Sequence, residues 1–343
     1  MVKVADQVLS TYAFYKCFID NTSSVIDYGK WITIFIQNYS HRIKASLIDI
    51  NNTFNYYHVK ELTLPHLEKA MAVLTNEKAL YSFHSLFWFY KGYDTLNFVR
   101  NWIQQLPVQE SSEKLEFTYV HNDHTYPTSY FELLVNFWGH SDELLKPSLR
   151  LGIELTTKQP NRIAEFLKFL NDYFSYKVQD FENEYSRQNT LLDVLLNETL
   201  SGQEKLIAEG VFLNICEKLL GWHFTDYGSS KGRAITIINF DLYNSPELLH
   251  LRQRILTGFS TLFFVNEQQS AKILGKIVRP GGDIDKKIYA TELPVYEKLI
   301  SDKLDVKKYA HCKFVKRLSK ILSDSSIDFS KQAEAFINSD ILK

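Results

Sequence analysis

Between Leu80 and Pro107 large apolar side chains return every three or four residues. Leu80, Phe83, Phe87 and Tyr90 share one helical face, and Gly92 follows as a C-cap. Asp94 is placed to cap a second run, Leu96, Val99, Trp102, Ile103 and Leu106, which Pro107 stops. The pattern predicts a helical hairpin with a very short turn. Leu86, Trp88 and Phe89 make the first helix apolar nearly all round, so it must be covered from more than one direction, as an inner helix of a stacked array is.

The same pattern continues downstream. Ser129, Tyr130, Leu133, Leu134, Phe137 and Trp138 predict a helix ending near Gly139; Ser141 offers a cap, and Pro147 opens or kinks a helix through Leu149, Ile153 and Leu155. Pro160 starts another, with Ile163, Phe166, Leu167, Leu170, Tyr173 and Phe174 in register. Further helices are predicted at about 180–199, 203–220, 246–264, 267–277, 293–303 and 305–322, with Ser245, Pro246 and Glu247 as an N-terminal signal. Helix pairs repeating at roughly 35 to 45 residues define the expected fold class: all-α, an irregular HEAT-like α-solenoid of antiparallel helix pairs. An irregular two-lobed helical bundle is the alternative. There is no tetratricopeptide or ankyrin signature.

Two segments break the rhythm. Glu113 to Pro127 and Phe224 to Tyr243 mix β-branched or aromatic residues with turn residues, and read as long loops or short strands. The second also fits a helix, through Ile235, Ile238 and Leu242. The expected organisation is N-terminal helical repeats at 1–108 and C-terminal repeats at 128–322, stacked as one elongated array, with a cap or linker at 323–343.

Composition narrows the class. With 343 residues, 45% hydrophobic and 14% aromatic, the chain can bury two cores or one long one, and disorder is not expected over most of it. The net charge of −1 provides no global field towards nucleic acid or membrane. The first residues lack a signal-peptide pattern and no apolar run approaches ~18 residues; a soluble, cytoplasmic protein without membrane contact is expected.

Candidate chemistry is sparse. Cys17, Cys216 and Cys312 lie far apart and read as reduced thiols on helices. His121, Asp123 and His124 could contribute to a metal site only with distant partners, and are otherwise an exposed polar turn; no metal is expected. Gly228 to Arg233 has the glycines and cations of a phosphate cradle, but Arg233 and Ala234 stand where a Walker A loop needs Lys and Ser or Thr. A connector is the alternative there and at Arg279 to Asp283. A nucleophile elbow, H-E-x-x-H, a dinucleotide fingerprint and a zinc-deaminase pattern are all missing from the sequence, and no cofactor is expected.

One charge asymmetry stands out. Arg279 to Lys320 carries eleven Lys or Arg against six Asp or Glu. Within Asp305 to Leu322, Ala310, Phe314, Val315, Leu318, Ile321 and Leu322 fall on one side, while Lys308, Lys313, Lys316, Arg317 and Lys320 lie largely on another. Lys313, Lys316, Arg317 and Lys320 are the candidate binding residues, for phosphates or an acidic partner. A solvated outer face is the alternative.

Phe174 to Leu200 (FSYKVQDFENEYSRQNTLLDVLLNETL) and Gly232 to Leu256 (GRAITIINFDLYNSPELLHLRQRIL) resemble the helical-repeat regions of large bacterial P-loop ATPases of the STAND type. The similarity covers the middle of the chain. It implies a solenoid that senses a ligand or partner and controls an ATPase and effector elsewhere; the ATPase core itself has no counterpart in this sequence. The expected function is therefore a non-enzymatic protein-interaction module, a scaffold or sensor in a larger bacterial assembly, docking partners through aromatic anchors. Nucleic-acid binding through the basic face, and an enzyme built around residues such as His121, Asp123 and His124, are the alternatives.

Overall fold

Short polar residues set the helix starts in the first 104 residues. Asp27 accepts a hydrogen bond from the Lys30 amide at 3.1 Å, Asn55 from Tyr57 and His58 at 3.0 and 3.2 Å, and Asn76 from Ala79 at 3.2 Å. Each satisfies donors that a helix N-terminus leaves open. The structure, a computed structural model, describes residues 2–20, 22, 25–109, 117, 129–139, 143–229, 235–242, 245–278, 283–324, 327, 329 and 333–342. The chain divides into two compact units, Met1–Gln104 and Gln105–Lys343.

The first unit contains α1 (Val2–Phe14), a π-helical turn Tyr15–Ile19, α2 (Tyr28–Thr53), α3 (Tyr56–Val73), α4 (Glu77–Phe87) and α5 (Gly92–Gln105). Ile32, Ile36, Ile43, Leu47 and Ile50 line one side of α2 and are buried with Val59, Leu67 and Ala70 of α3 and Phe83 and Phe87 of α4. Tyr39, with φ −128° and ψ 23°, interrupts α2 between the two halves of that stripe. From Ala79 to Tyr90 every residue is buried or half-buried, so α4 is enclosed as its all-round apolarity predicts. The hairpin turn differs in detail. Gly92 is the first residue of α5 rather than a cap, and Asp94 lies in the first turn, paired with Lys91 at 2.7 Å. The turn is tied down by Tyr90, which donates to Asn51 Oδ1 at 2.6 Å, and by Tyr56, which donates to the Phe89 carbonyl at 2.9 Å.

In the second unit the helices are α6 (Phe131–Trp138), α7 (Leu145–Lys158), α8 (Ile163–Phe174), α9 (Ser186–Leu195), α10 (Gly202–Leu219), α11 (Pro246–Thr261), α12 (Glu267–Ile277), α13 (Asp283–Lys303), α14 (Tyr309–Asp324) and α15 (Glu334–Ile337). Their packing follows a rule. α6, α8, α10, α12 and α14 each pack on the next of that series, and α7, α9, α11 and α13 do the same in a second series. Helix pairs stacked in two layers are the connectivity of an α-solenoid, in which each pair buries its apolar face against its neighbours. Close approach between layers is visible at Gly152 of α7, where a Cβ would stand 2.7 Å from the ring of buried Phe166 in α8.

Several boundaries depart from the periodicity. The helix expected at 180–199 is confined to α9, because Asp180 ends a short 3-10 turn and Glu184 and Tyr185 then take left-handed backbone, φ 50° and 55°. α13 begins ten residues before the expected 293 and runs through Pro294; a proline costs one backbone bond there without ending the helix. Ser245 does cap α11, accepting from the Leu248 amide at 3.2 Å. The helical alternative for Arg233 to Tyr243 is overturned over its described part by an antiparallel hairpin of β1 (His223–Ser229) and β2 (Ile235–Asp241), paired from His223↔Asp241 to Ser229↔Ile235. Residues 113–116 and 118–127 lie outside the described residues. Among the described residues no helix is long and apolar enough to cross a membrane.

Candidate functional site

Helix α14 displays a clean division of faces. Phe314, Val315, Leu318, Ile321 and Leu322 are buried, while Lys313, Lys316, Arg317 and Lys320 are all exposed. The structure thus brings the four predicted residues together on one face. No carboxylate occurs between Val306 and Ser323, and among the described residues none of the four cations has an ion-pair partner. Lys313 instead lies 5.5 Å from the centre of the Tyr309 ring, and Arg317 Nη1 donates to the Gly275 carbonyl of α12 at 3.4 Å. Lys308, grouped with them by sequence, precedes α14 and pairs with Glu267 of α12.

The N-terminal end of that face adjoins a corner that the periodicity did not reveal. The turn after α11 exposes Phe264 (59%) and Val265, and the turn before α14 exposes Val306 and, at its end, Tyr309 (54%). Three contacts link the two turns through the helices that flank them. Lys303 Nζ lies 5.2 Å from the centre of the Phe264 ring, Phe263 meets His311 edge-on at 5.7 Å, and Lys308 bridges to Glu267. His311 is buried, its Nδ1 accepts from the Asp305 amide at 3.0 Å, and burial holds its pKa below the ordinary imidazole value. A neutral imidazole therefore shapes the turn.

On the same layer, α8, α10 and α12 enclose a cleft of about 460 Å³. Its wall carries Asp172, Asn214, Glu217, Lys218, Gln269 and Lys272. Partial burial raises the Asp172 carboxyl, whereas Glu217 accepts from Lys276 and, at 3.2 Å, from Gln269 Nε2. Glu217 thus braces α10 against α12.

Two buried polar groups lie deeper. Arg252 of α11 and Glu292 of α13 are fully buried and paired at 2.6 Å; Tyr296 donates to the second Glu292 oxygen at 2.7 Å, and the guanidinium carbon sits 4.4 Å from the centre of the Trp222 ring. Asp180 receives Arg187 at 2.5 Å, Gln188 at 2.8 Å and the Lys177 amide at 2.7 Å, closing the entry to α9. Both networks cross-link neighbouring elements.

His121, Asp123 and His124 lie outside the described residues, as do 230–233 and 279–282. Gly228 and Ser229 end β1, and Asp283 begins α13. Cys17, in the π-helical turn, and Cys216 and Cys312, both buried in helices, are free thiols.

The fold and its exposed faces define an all-α protein whose second unit is a helical-repeat array. Comparison with known protein families, with curated proteins and with solved structures finds no match.

Proposed function

We propose that the chain is a non-enzymatic protein-interaction module, acting in the bacterial cytoplasm as a scaffold or as the sensor portion of a larger assembly. The observation that carries this reading is the corner formed by Phe264, Val265, Val306 and Tyr309, four large apolar side chains left to solvent at or beside the α11–α12 and α13–α14 turns. Grouped apolar residues with a charged surround are the usual composition of an interface, in which aromatic anchors desolvate and the polar rim sets register. A repeat array suits such a role because its rigid layers hold turns in fixed relation. The resemblance of Phe174 to Leu200 and Gly232 to Leu256 to STAND-type sensor regions points the same way.

A nucleic-acid reading rests on the four uncompensated cations of α14. Affinity capture separates the two. The tagged chain is incubated with lysate of its own host, divided into nuclease-treated and untreated halves, and the captured protein is then reconstituted from purified material. The expected result is a protein that survives nuclease and binds on reconstitution. Nucleic acid recovered only from the untreated half would replace this reading with the second.

A further inference from the structure

A solvated end of a repeat array needs polar residues of either sign. The outer face of α14 is instead of one sign from Lys313 to Lys320, with Asp324 following only in the last turn, and it begins at an apolar corner. Tyr309, Lys313, Lys316, Arg317 and Lys320 are spaced i, i+4, i+7, i+8 and i+11, which places them on one stripe of about 16 Å. An extended polypeptide covers that length in about five residues.

We propose that this stripe and the corner beside it form one docking surface for an acidic, apolar-anchored segment of a partner protein. Apolar side chains of the segment enter between Phe264, Val265 and Val306, and its carboxylates then follow α14 from Lys313 to Lys320. The proposal rests on the protein-interaction reading and supplies its partner chemistry.

Charge complementarity selects an acidic occupant. The four cations are exposed and without carboxylate partners among the described residues, so a segment bringing carboxylates gains attraction without breaking existing pairs. Arg317 is exposed and uses one Nη for Gly275, and the planar fork of a guanidinium suits a planar carboxylate. The corner then selects protein over nucleic acid. Lys303 lies over Phe264 and Lys313 over Tyr309, so an ammonium already covers one face of each ring on which a base would stack. Val265 and Val306 offer no ring face at all; aliphatic or aromatic side chains can pack on these exposed groups, and carboxylates can pair with the two ammonium groups beside the rings.

The test is fluorescence anisotropy with the whole chain and a labelled synthetic peptide, a Leu-Phe pair followed by alternating Glu and Ser. One control peptide replaces Leu-Phe by Ser-Ser, another replaces Glu by Lys, and a labelled oligothymidylate represents nucleic acid. The variants are Lys313→Glu/Lys316→Glu/Arg317→Glu/Lys320→Glu and, separately, Phe264→Ser; all five positions are exposed, and unchanged circular dichroism and urea midpoints verify the fold. The expected result is salt-sensitive binding of the anchored acidic peptide, weakened by about tenfold or more in the charge-reversed chain. Binding should also weaken measurably with Phe264→Ser and with the Ser-Ser peptide. No binding, equal binding by the charge-reversed chain, or oligothymidylate binding more tightly and displacing the peptide would overturn the proposal. Its failure is separable from that of the broader reading: a reconstituted protein partner that binds wild-type and charge-reversed chains equally removes this surface but leaves the interaction module standing.

Discussion

His84 shows how much one buried side chain can govern. It is 3% exposed, stacked on Phe98 with ring centres 4.5 Å apart, and its Nδ1 lies 3.0 Å from Thr95 Oγ1. Burial, the dominant cause, pushes its pKa from 6.5 down to about 4; Asp94 opposes the shift and Lys91 adds to it. The unfolded chain therefore takes up a proton at a higher pH than the folded one. Stability is complete above about pH 6.5 and is lost as pH falls towards 4, with a full effect of about 3 kcal/mol. Hydrogen exchange of the α4 amides at pH 7 and pH 5, corrected for intrinsic rates, should show protection falling at the lower pH. His84→Gln, which keeps a polar partner for Thr95 but cannot titrate, should flatten that dependence. An equal loss of protection in both chains would show that another group is responsible.

At the scale of elements, α11 and α13 are joined through Arg252 and Glu292. Their charges are fully buried, and removing one leaves the other uncompensated at about 3–5 kcal/mol, whereas replacing both with apolar residues is often far cheaper. Arg252→Met and Glu292→Leu are each expected to lower the Tm sharply, and the double variant to unfold above either single one. Additive losses would contradict a mutually compensating pair. No sequence signal marks this pair, since two ordinary polar letters stand forty positions apart. The helices themselves were largely legible: the 80–107 hairpin, α10, α12 and the Ser245–Pro246 start follow from apolar spacing and capping chemistry. The exceptions have physical causes. Pro294 reads as a boundary but sits inside α13, the left-handed Glu184 and Tyr185 are residue types that carry no turn signal, and Ile235, Ile238 and Leu242 fit helical and strand spacing alike until β1 supplies a partner.

At the scale of the whole molecule, a net charge of −1 conceals a strong local imbalance. The basic residues of α14 were legible because amphipathic spacing separates Lys313, Lys316, Arg317 and Lys320 from the apolar face. The corner was not, because Phe264 and Val306 belong to turns forty-two positions apart that only the packing of α12 against α14 brings together. The central claim is that this layer end meets another protein. Its most direct test places a photo-reactive benzoylphenylalanine at Lys316 in the chain expressed in its own host, with a second chain labelled at half-buried Lys60 of α3 as control. Irradiation should yield a discrete protein adduct from position 316 that position 60 does not give and that nuclease leaves intact. Adducts with nucleic acid alone, or the same products from both positions, would contradict it.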